Sequence, residues 1–105
     1  MGLGDLRNLM KQAQRIQAEM AERQRKLGEA RVEATSGGGM VRAVVTGHGE
    51  LVELAISPEV ATPSEVDMLA DLVVAAVREA QAKAKDIAQK AMADLAGLLP
   101  PGFTP

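Results

Sequence analysis

Five basic side chains in the first quarter of the chain have the type and spacing to bind phosphate groups. Arg7, Lys11 and Arg15 recur at every fourth residue, and two further cations follow in the same segment. At about 100° per helical residue, these side chains share one face of a helix, opposite an apolar stripe. Their guanidinium and ammonium groups can neutralise the phosphates of a nucleic-acid backbone. The candidate binding residues are Arg7, Lys11, Arg15, Arg25 and Lys26.

A solvated helix face with its own ion pairs is the alternative interpretation of these charges. Glu22 interrupts the basic face, and Glu19 and Glu22 lie four residues from basic partners. The charge distribution favours binding. The net charge is −2, yet residues 1–29 hold six basic and four acidic side chains. Residues 30–63 and residues 64–105 each hold more acidic than basic side chains. In the first half of the first helix only Asp5 is acidic.

Side chains suited to catalysis or to metal binding are nearly absent. His48 is the single histidine, and the chain has no cysteine. A catalytic triad, a thiolate nucleophile and a cysteine or histidine metal site are therefore excluded. Glu50 and Glu53 could act as an acid and base pair only with a pocket, which no pattern indicates. We expect no enzyme activity, no cofactor, no metal and no small-molecule substrate.

The composition predicts a single small domain with an aliphatic core. The 105 residues include one phenylalanine and no tryptophan or tyrosine, so the side chains that bury the largest areas are missing. A chain of this size buries enough surface only when its elements pack well or meet a partner, so we expect a homo-oligomer. No transmembrane or signal segment is evident, and the absence of cysteine fits the reducing cytoplasm.

The basic residues belong to a predicted helix over residues 5–27. Its apolar side chains alternate at spacings of three and four, as the a and d positions of a heptad do. They are Leu6, Leu9, Ala13, Ile16, Met20 and Leu27. This stripe predicts that one face of the helix packs while the opposite face remains available for binding.

Three strands are predicted next, over residues 31–35, 40–46 and 51–56. Each shows a two-residue alternation, and the glycine-rich segments between them read as hairpin turns. We expect an antiparallel sheet in which Val52, Leu54 and Ile56 point inward. Neither glycine-rich turn matches a phosphate-binding loop, because no G-x-G-x-x-G opens a helix and no Lys-Ser or Lys-Thr follows.

A second long helix is predicted over residues 63–96. Thr62 offers a capping hydroxyl, Pro63 a first helical residue and Glu65 a carboxylate that can reach back to the cap amide. At about 1.5 Å per residue this helix measures about 50 Å, too long for one small subunit, and its alanines would let a partner helix approach closely. The Pro-rich and Gly-rich tail, residues 99–105, cannot be helical, and Phe103 is the side chain that would dock if the tail does.

Taken together in order and spacing, several short runs give the chain a resemblance to a known family. They are LRNLMKQAQ at 6–14, GGGMV at 37–41, GHGE at 47–50, ISPE at 56–59, LADLVVAAV at 69–77 and LPPGF at 99–103. The chain resembles the YbaB/EbfC family of bacterial nucleoid-associated proteins over nearly its whole length. The resemblance implies an α+β fold with an α-β-β-β-α subunit, a tweezer-like homodimer and binding of duplex DNA in the nucleoid.

The expected function is DNA binding by a cytoplasmic homodimer, in nucleoid organisation or gene regulation. Because no base-reading module is evident, we expect phosphate contacts with little sequence readout. The alternative is a dimeric protein interaction module that does not bind DNA. A role at a membrane surface is disfavoured, because the apolar arc of the first helix lacks the aromatic side chains typical of such elements.

Overall fold

Two long helices and a three-stranded sheet make up the computed structural model, which describes residues 2–97. The order of elements is α-β-β-β-α and the sheet is antiparallel, which confirms the predicted fold class. The elements are α1 (Leu3–Glu29), β1 (Arg31–Ser36), β2 (Val41–Thr46), β3 (Leu51–Ile56) and α2 (Val66–Ala96). Three 3-10 turns lie at Gly37–Gly39, Pro58–Val60 and Pro63–Glu65. The predicted tail and its Phe103 lie outside the described residues.

The core forms where α2 crosses the inner face of β1 and β2. The strands have the order β1-β2-β3, and Ala43 in the central strand lies opposite Ala34 on one side and Leu54 on the other. Paired residues of an antiparallel sheet point to the same face, so this register defines the inner face. The core residues are Val32, Ala34, Val41, Ala43 and Val45 from the sheet and Ala76, Ala80 and Ala84 from α2.

The alanines of α2 have a different role from the predicted one. Ala76, Ala80 and Ala84 recur at every fourth residue, and each is at most 1% exposed against the sheet of the same chain. Their methyl groups let the helix backbone approach the strands closely. The expectation that the alanine-rich part of α2 serves a partner helix is therefore wrong for these three residues.

Strand β3 keeps its inner face exposed, because α2 lies over β1 and β2 and does not extend across it. Leu51, Leu54 and Ile56 are 47%, 37% and 40% exposed. The prediction that Val52 points inward with them is wrong. The register shifts between Val44 and Val45, so Leu51 pairs with Val45 and Val52 becomes the extra residue of a bulge.

Helix α1 projects from this core, which gives the subunit an elongated shape of 74 × 21 × 16 Å. Only Leu27 of α1 is buried, and every residue from 3 to 15 is exposed. We call residues 3–15 the arm. The predicted packing stripe is thus largely unpacked within one chain, since Leu6, Leu9 and Met20 remain between 42% and 50% exposed.

Helix α2 begins differently from the predicted capping box. Pro63–Glu65 forms a 3-10 turn, and α2 starts at Val66. The backbone N–H of Glu65 donates to the Thr62 carbonyl oxygen over 3.0 Å, while the Thr62 hydroxyl lies 3.3 Å from the Ser64 hydroxyl and caps no amide. The side-chain cap predicted for this helix is therefore wrong, because the tighter turn takes its place.

Candidate nucleic-acid interface

All five predicted binding residues lie on the exposed surface of α1. Projected at about 100° per residue, they fall within an arc of about 100°. They are Arg7, Lys11, Arg15, Arg25 and Lys26, each exposed. The structure therefore brings them onto one helix face, but their surroundings differ between the two halves of the helix.

The first half of α1 carries a row of three cations. Arg7, Lys11 and Arg15, which we call the basic row, span about 12 Å at the helical rise of about 1.5 Å per residue. No ion pair within residues 2–97 involves any of the three. Because the arm projects from the core, an extended polyanion can reach all three side chains at once.

The second half of the same face is largely neutralised. Arg25 donates to Glu22 over 2.6 Å and to Glu29 over 2.8 Å, and both carboxylates lie in the arc of the basic residues. The hydrogen bond from Arg25, opposed by desolvation, lowers the pKa of Glu22. In turn, Glu22 and Glu29 raise the pKa of Arg25. Arg25 therefore carries a compensated charge, and Lys26 is the cation of this half with no ion pair among the described residues.

The outer face of the sheet offers no comparable cationic surface. Arg42 lies between Glu33 and Glu53, at N–O distances of 3.2 and 2.9 Å, so one guanidinium crosses all three strands. These residues line an open groove of about 460 Å³ together with Arg31, Val44 and Val52. Its alternating charges cancel, which makes this face a poor site for a polyanion.

The C-terminal end of α1 is held by residues that the sequence alone does not assign to the site. The backbone N–H of Gly47 donates to the Leu27 carbonyl oxygen over 2.7 Å. The Arg31 guanidinium donates to the carbonyl oxygens of Gly28, Glu29 and Ala30 over 3.1 to 3.3 Å. The last carbonyl groups of a helix have no partner within it, so these donors complete the helix end.

His48 adds a side-chain donor to the same helix end. Its Nε2 lies 3.1 Å from the Gln24 carbonyl oxygen, and because a carbonyl oxygen only accepts, the hydrogen bond forms when the imidazole carries a proton on Nε2. The Gly47-His48-Gly49 run is visible in the sequence, but its partner lies more than twenty residues away. In the sequence, the two glycines that flank this histidine are the one local sign of a turn that approaches another backbone.

Metal chemistry finds no support in the described part of the chain. No group of three histidine, cysteine or acidic side chains within residues 2–97 is arranged to hold a metal ion.

A second open groove, of about 390 Å³, lies beside the turn between β2 and β3 and is lined by Gly47, His48, Gly49, Gln81, Lys85 and Ala88. Neither helix of residues 2–97 combines the length and apolarity needed to cross a membrane.

Comparison with known proteins places this arrangement in a family. A model of the YbaB/EbfC DNA-binding family matches residues 1–99. A protein of Saccharopolyspora erythraea named nucleoid-associated protein is 43% identical over 98 residues, covering 93% of this chain and 84% of its own length. One of the same name from Moorella thermoacetica is 42% identical over 104 residues, covering 98% and 100%.

The fold also occurs in a solved structure. The crystal structure of the uncharacterized protein HP0035 from Helicobacter pylori superimposes with a TM-score of 0.70, covering 90% of this chain and 97% of that one. The two sequences are 21% identical, so this similarity concerns the fold alone.

Proposed function

The chain belongs to the YbaB/EbfC DNA-binding family, and we propose on that basis that it binds duplex DNA as a homodimer. The observation that carries the proposal is the basic row, which stands exposed on a projecting arm with no carboxylate partner among the described residues. The function is one of binding rather than catalysis. Relatives named nucleoid-associated protein support a role in organising the nucleoid or regulating genes in the cytoplasm.

The proposed contacts are with phosphates rather than base edges. Arginine and lysine side chains in a row can each pair with one phosphate oxygen, and such contacts position a protein without reading sequence. Arg7, Lys11 and Arg15 provide the principal contacts. Lys26 adds a contact nearer the core, and Arg25 contributes only when DNA displaces its carboxylate partners, since both of them compete for the same guanidinium.

The homodimer is proposed from apolar surface that one chain leaves uncovered. The inner face of β3 exposes Leu51, Leu54 and Ile56, which α2 leaves uncovered. The apolar side of the arm exposes Leu6 and Leu9 in the same way. Exposed apolar surface of this extent is typical of an interface, and a second copy of the chain supplies the matching apolar faces. A dimer would present two basic rows and so double the number of phosphate contacts.

The proposal is tested by measuring binding to two unrelated DNA duplexes by fluorescence anisotropy at low and moderate salt. Counting only the three principal contacts of each chain, about six per dimer, we expect the affinity to fall roughly a thousandfold between 50 and 200 mM salt. The two duplexes should bind with similar affinity. A triple variant, Arg7→Ala, Lys11→Ala and Arg15→Ala, should bind far more weakly and with a shallower salt dependence.

The matched control removes three cations from α2. Arg78, Lys85 and Lys90 are exposed, so their replacement by alanine changes the net charge equally without altering the arm. We expect this variant to keep the salt dependence of the wild type. Equal weakening of both variants would contradict the assignment to the basic row. No binding by the wild type at low salt would contradict DNA binding itself and favour the protein interaction module.

A further inference from the structure

We propose that His48 is a positioning residue that fixes the direction of the arm. The proposal concerns the turn between β2 and β3, residues 46–50, which we call the docking turn. It supplies two donors to the end of α1, the Gly47 amide and the His48 imidazole, on carbonyl oxygens one helical turn apart. Two hydrogen bonds at different positions along the helix axis resist a tilt of the helix that a single hydrogen bond would allow.

The docking turn is itself held rigidly. The Thr46 hydroxyl accepts hydrogen bonds from the backbone N–H groups of His48 and Glu50, over 3.2 and 3.3 Å. The Gln81 amide donates to the Gly49 carbonyl oxygen over 3.1 Å, which ties the turn to α2. The His48 ring therefore extends from a fixed base, and its hydrogen bond transmits that position to α1.

The ring also fits the surface of α1 at Gly28. A Cβ atom built on Gly28 would lie 3.8 Å from both Cδ2 and Nε2 of His48. The ring thus lies against the helix backbone where the side chain is smallest, within reach of the Gln24 carbonyl oxygen. Gly28 and His48 form a complementary pair across the joint between α1 and the core.

Helix α2 also contacts α1 and restrains it. Between α1 and α2, Arg23 donates to the Ala91 carbonyl oxygen over 3.4 Å, and its buried Nε has no hydrogen-bond partner among the described residues. Leu27 is the one buried residue of α1 in the described structure. The direction of the helix therefore depends on its last turn, on the docking turn and on its contacts with α2.

Because α1 is long, a small change in its direction at the His48 contact causes a large displacement of its N-terminal end. Arg7 lies about 30 Å from Leu27 along the helix at about 1.5 Å per residue, so a tilt of about 10° moves Arg7 by about 5 Å. This exceeds the rise of about 3.4 Å along the DNA helix axis between successive phosphates of one strand. This inference rests on the DNA-binding function proposed above. Its consequence is that His48 controls the affinity for DNA without touching DNA.

The experiment measures the direction of the arm directly. Because the chain has no cysteine, Asn8→Cys and Ala93→Cys introduce two unique labelling sites, one on the arm and one on the exposed side of α2. Electron paramagnetic resonance then gives the distance between spin labels, with labelled protein diluted in excess unlabelled chain. The measurement is made in His48, His48→Ala and His48→Gln backgrounds, after circular dichroism has established that each is folded.

We expect a narrow distribution of distances between the labels with His48 and a shifted or broadened distribution with His48→Ala. His48→Gln should recover the narrow distribution, because its amide Nε2 retains a hydrogen-bond donor. In unlabelled protein, His48→Ala should weaken DNA binding by about fivefold, the net value of one hydrogen bond, with an unchanged salt dependence. His48→Gln should restore the affinity.

Several results would overturn the proposal. An unchanged distance in His48→Ala would show that the imidazole does not fix the arm, and failure of His48→Gln to recover would exclude the donor. A changed distance with unchanged affinity would break the connection to DNA binding. If the wild type does not bind DNA, the proposed function fails, while the distance measurement still decides whether His48 positions the arm.

Discussion

Gly47 donates its amide hydrogen to the carbonyl oxygen of Leu27 over 2.7 Å, and this contact leaves no room for a side chain. A Cβ atom on residue 47 would lie 2.5 Å from that oxygen and 2.9 Å from the Leu27 Cα. The positive-φ glycines of the structure are at other positions, so here glycine is required by close approach of two backbones. Leu27 is also the buried residue of α1, so the joint between arm and core rests on this pair.

Replacing Gly47 by alanine should therefore destabilise the protein. The added methyl group meets backbone atoms that cannot rotate away, so we expect a loss of about 1–3 kcal/mol in the free energy of unfolding, measured with urea. Gly28→Ala is the control, because its Cβ would make only ordinary contacts with His48 and alanine favours a helix by about 0.5–1 kcal/mol. Equal stability of the two variants would contradict the close approach.

The alanine stripe of α2 gives a second prediction, on the packing of the core. Ala80 is fully buried between α2 and the sheet, so Ala80→Leu should force the two layers apart and cost about 1–3 kcal/mol. Ala82 is exposed on the same helix, and Ala82→Leu should change stability by less than about 0.5 kcal/mol. Thermal and urea unfolding of both variants provide the measurement. A tolerated leucine at position 80 would refute the packing described for this stripe.

The fold was largely predictable because its signals are local. The heptad spacing in α1 and the alternation in the strands depend only on neighbouring residues, and the structure has two helices and three strands in the predicted order. Apart from the capping box of α2, the errors concern relations between elements. The predicted position of Val52 is wrong because a bulge in the pairing of β3 with β2 changes the register, and a bulge depends on the partner strand.

The candidate site was predictable in composition and less so in its surroundings. The sequence identifies the face that carries Arg7 and Arg25, and both are exposed on it. It does not determine which cations are paired, because that depends on side-chain conformation: Arg25 bonds Glu22 three residues before it rather than leaving that carboxylate to Lys26. The docking of Gly47 and His48 on α1 is a contact between distant segments, which no local pattern encodes.

The uncovered inner face of β3 gives a third prediction, which concerns assembly. Under the proposed homodimer, Leu54→Glu places a charge in the apolar interface and should shift the mass in sedimentation equilibrium from two chains toward one. Val52 is 49% exposed as the extra residue of the bulge and lines the outer groove, so Val52→Glu should leave the mass unchanged. A monomeric wild type, or a dimer that tolerates Leu54→Glu, would contradict an interface at this face.

The ion pairs of Arg25 define how pH affects the second half of the basic face. The Arg25 hydrogen bond lowers the pKa of Glu22 below its ordinary value of 4.5, so this carboxylate stays ionised to a lower pH than an unpaired glutamate. The stabilisation from the pair is present above the unfolded value and is lost as the pH falls through the lowered folded value. Both groups are exposed, so this contribution to stability is small. Arg25 accordingly remains paired under physiological conditions.

Freeing Arg25 should strengthen DNA binding, which is the fourth prediction. The double variant Glu22→Gln and Glu29→Gln removes both carboxylates, so Arg25 can pair with a phosphate and the salt dependence should steepen by about one contact per chain. The matched control, Glu33→Gln and Glu53→Gln, makes the same change in net charge and frees Arg42 on the outer sheet face. Fluorescence anisotropy across a salt series distinguishes the two. A slope that steepens equally in both variants would show that net charge, rather than the face of α1, determines the affinity.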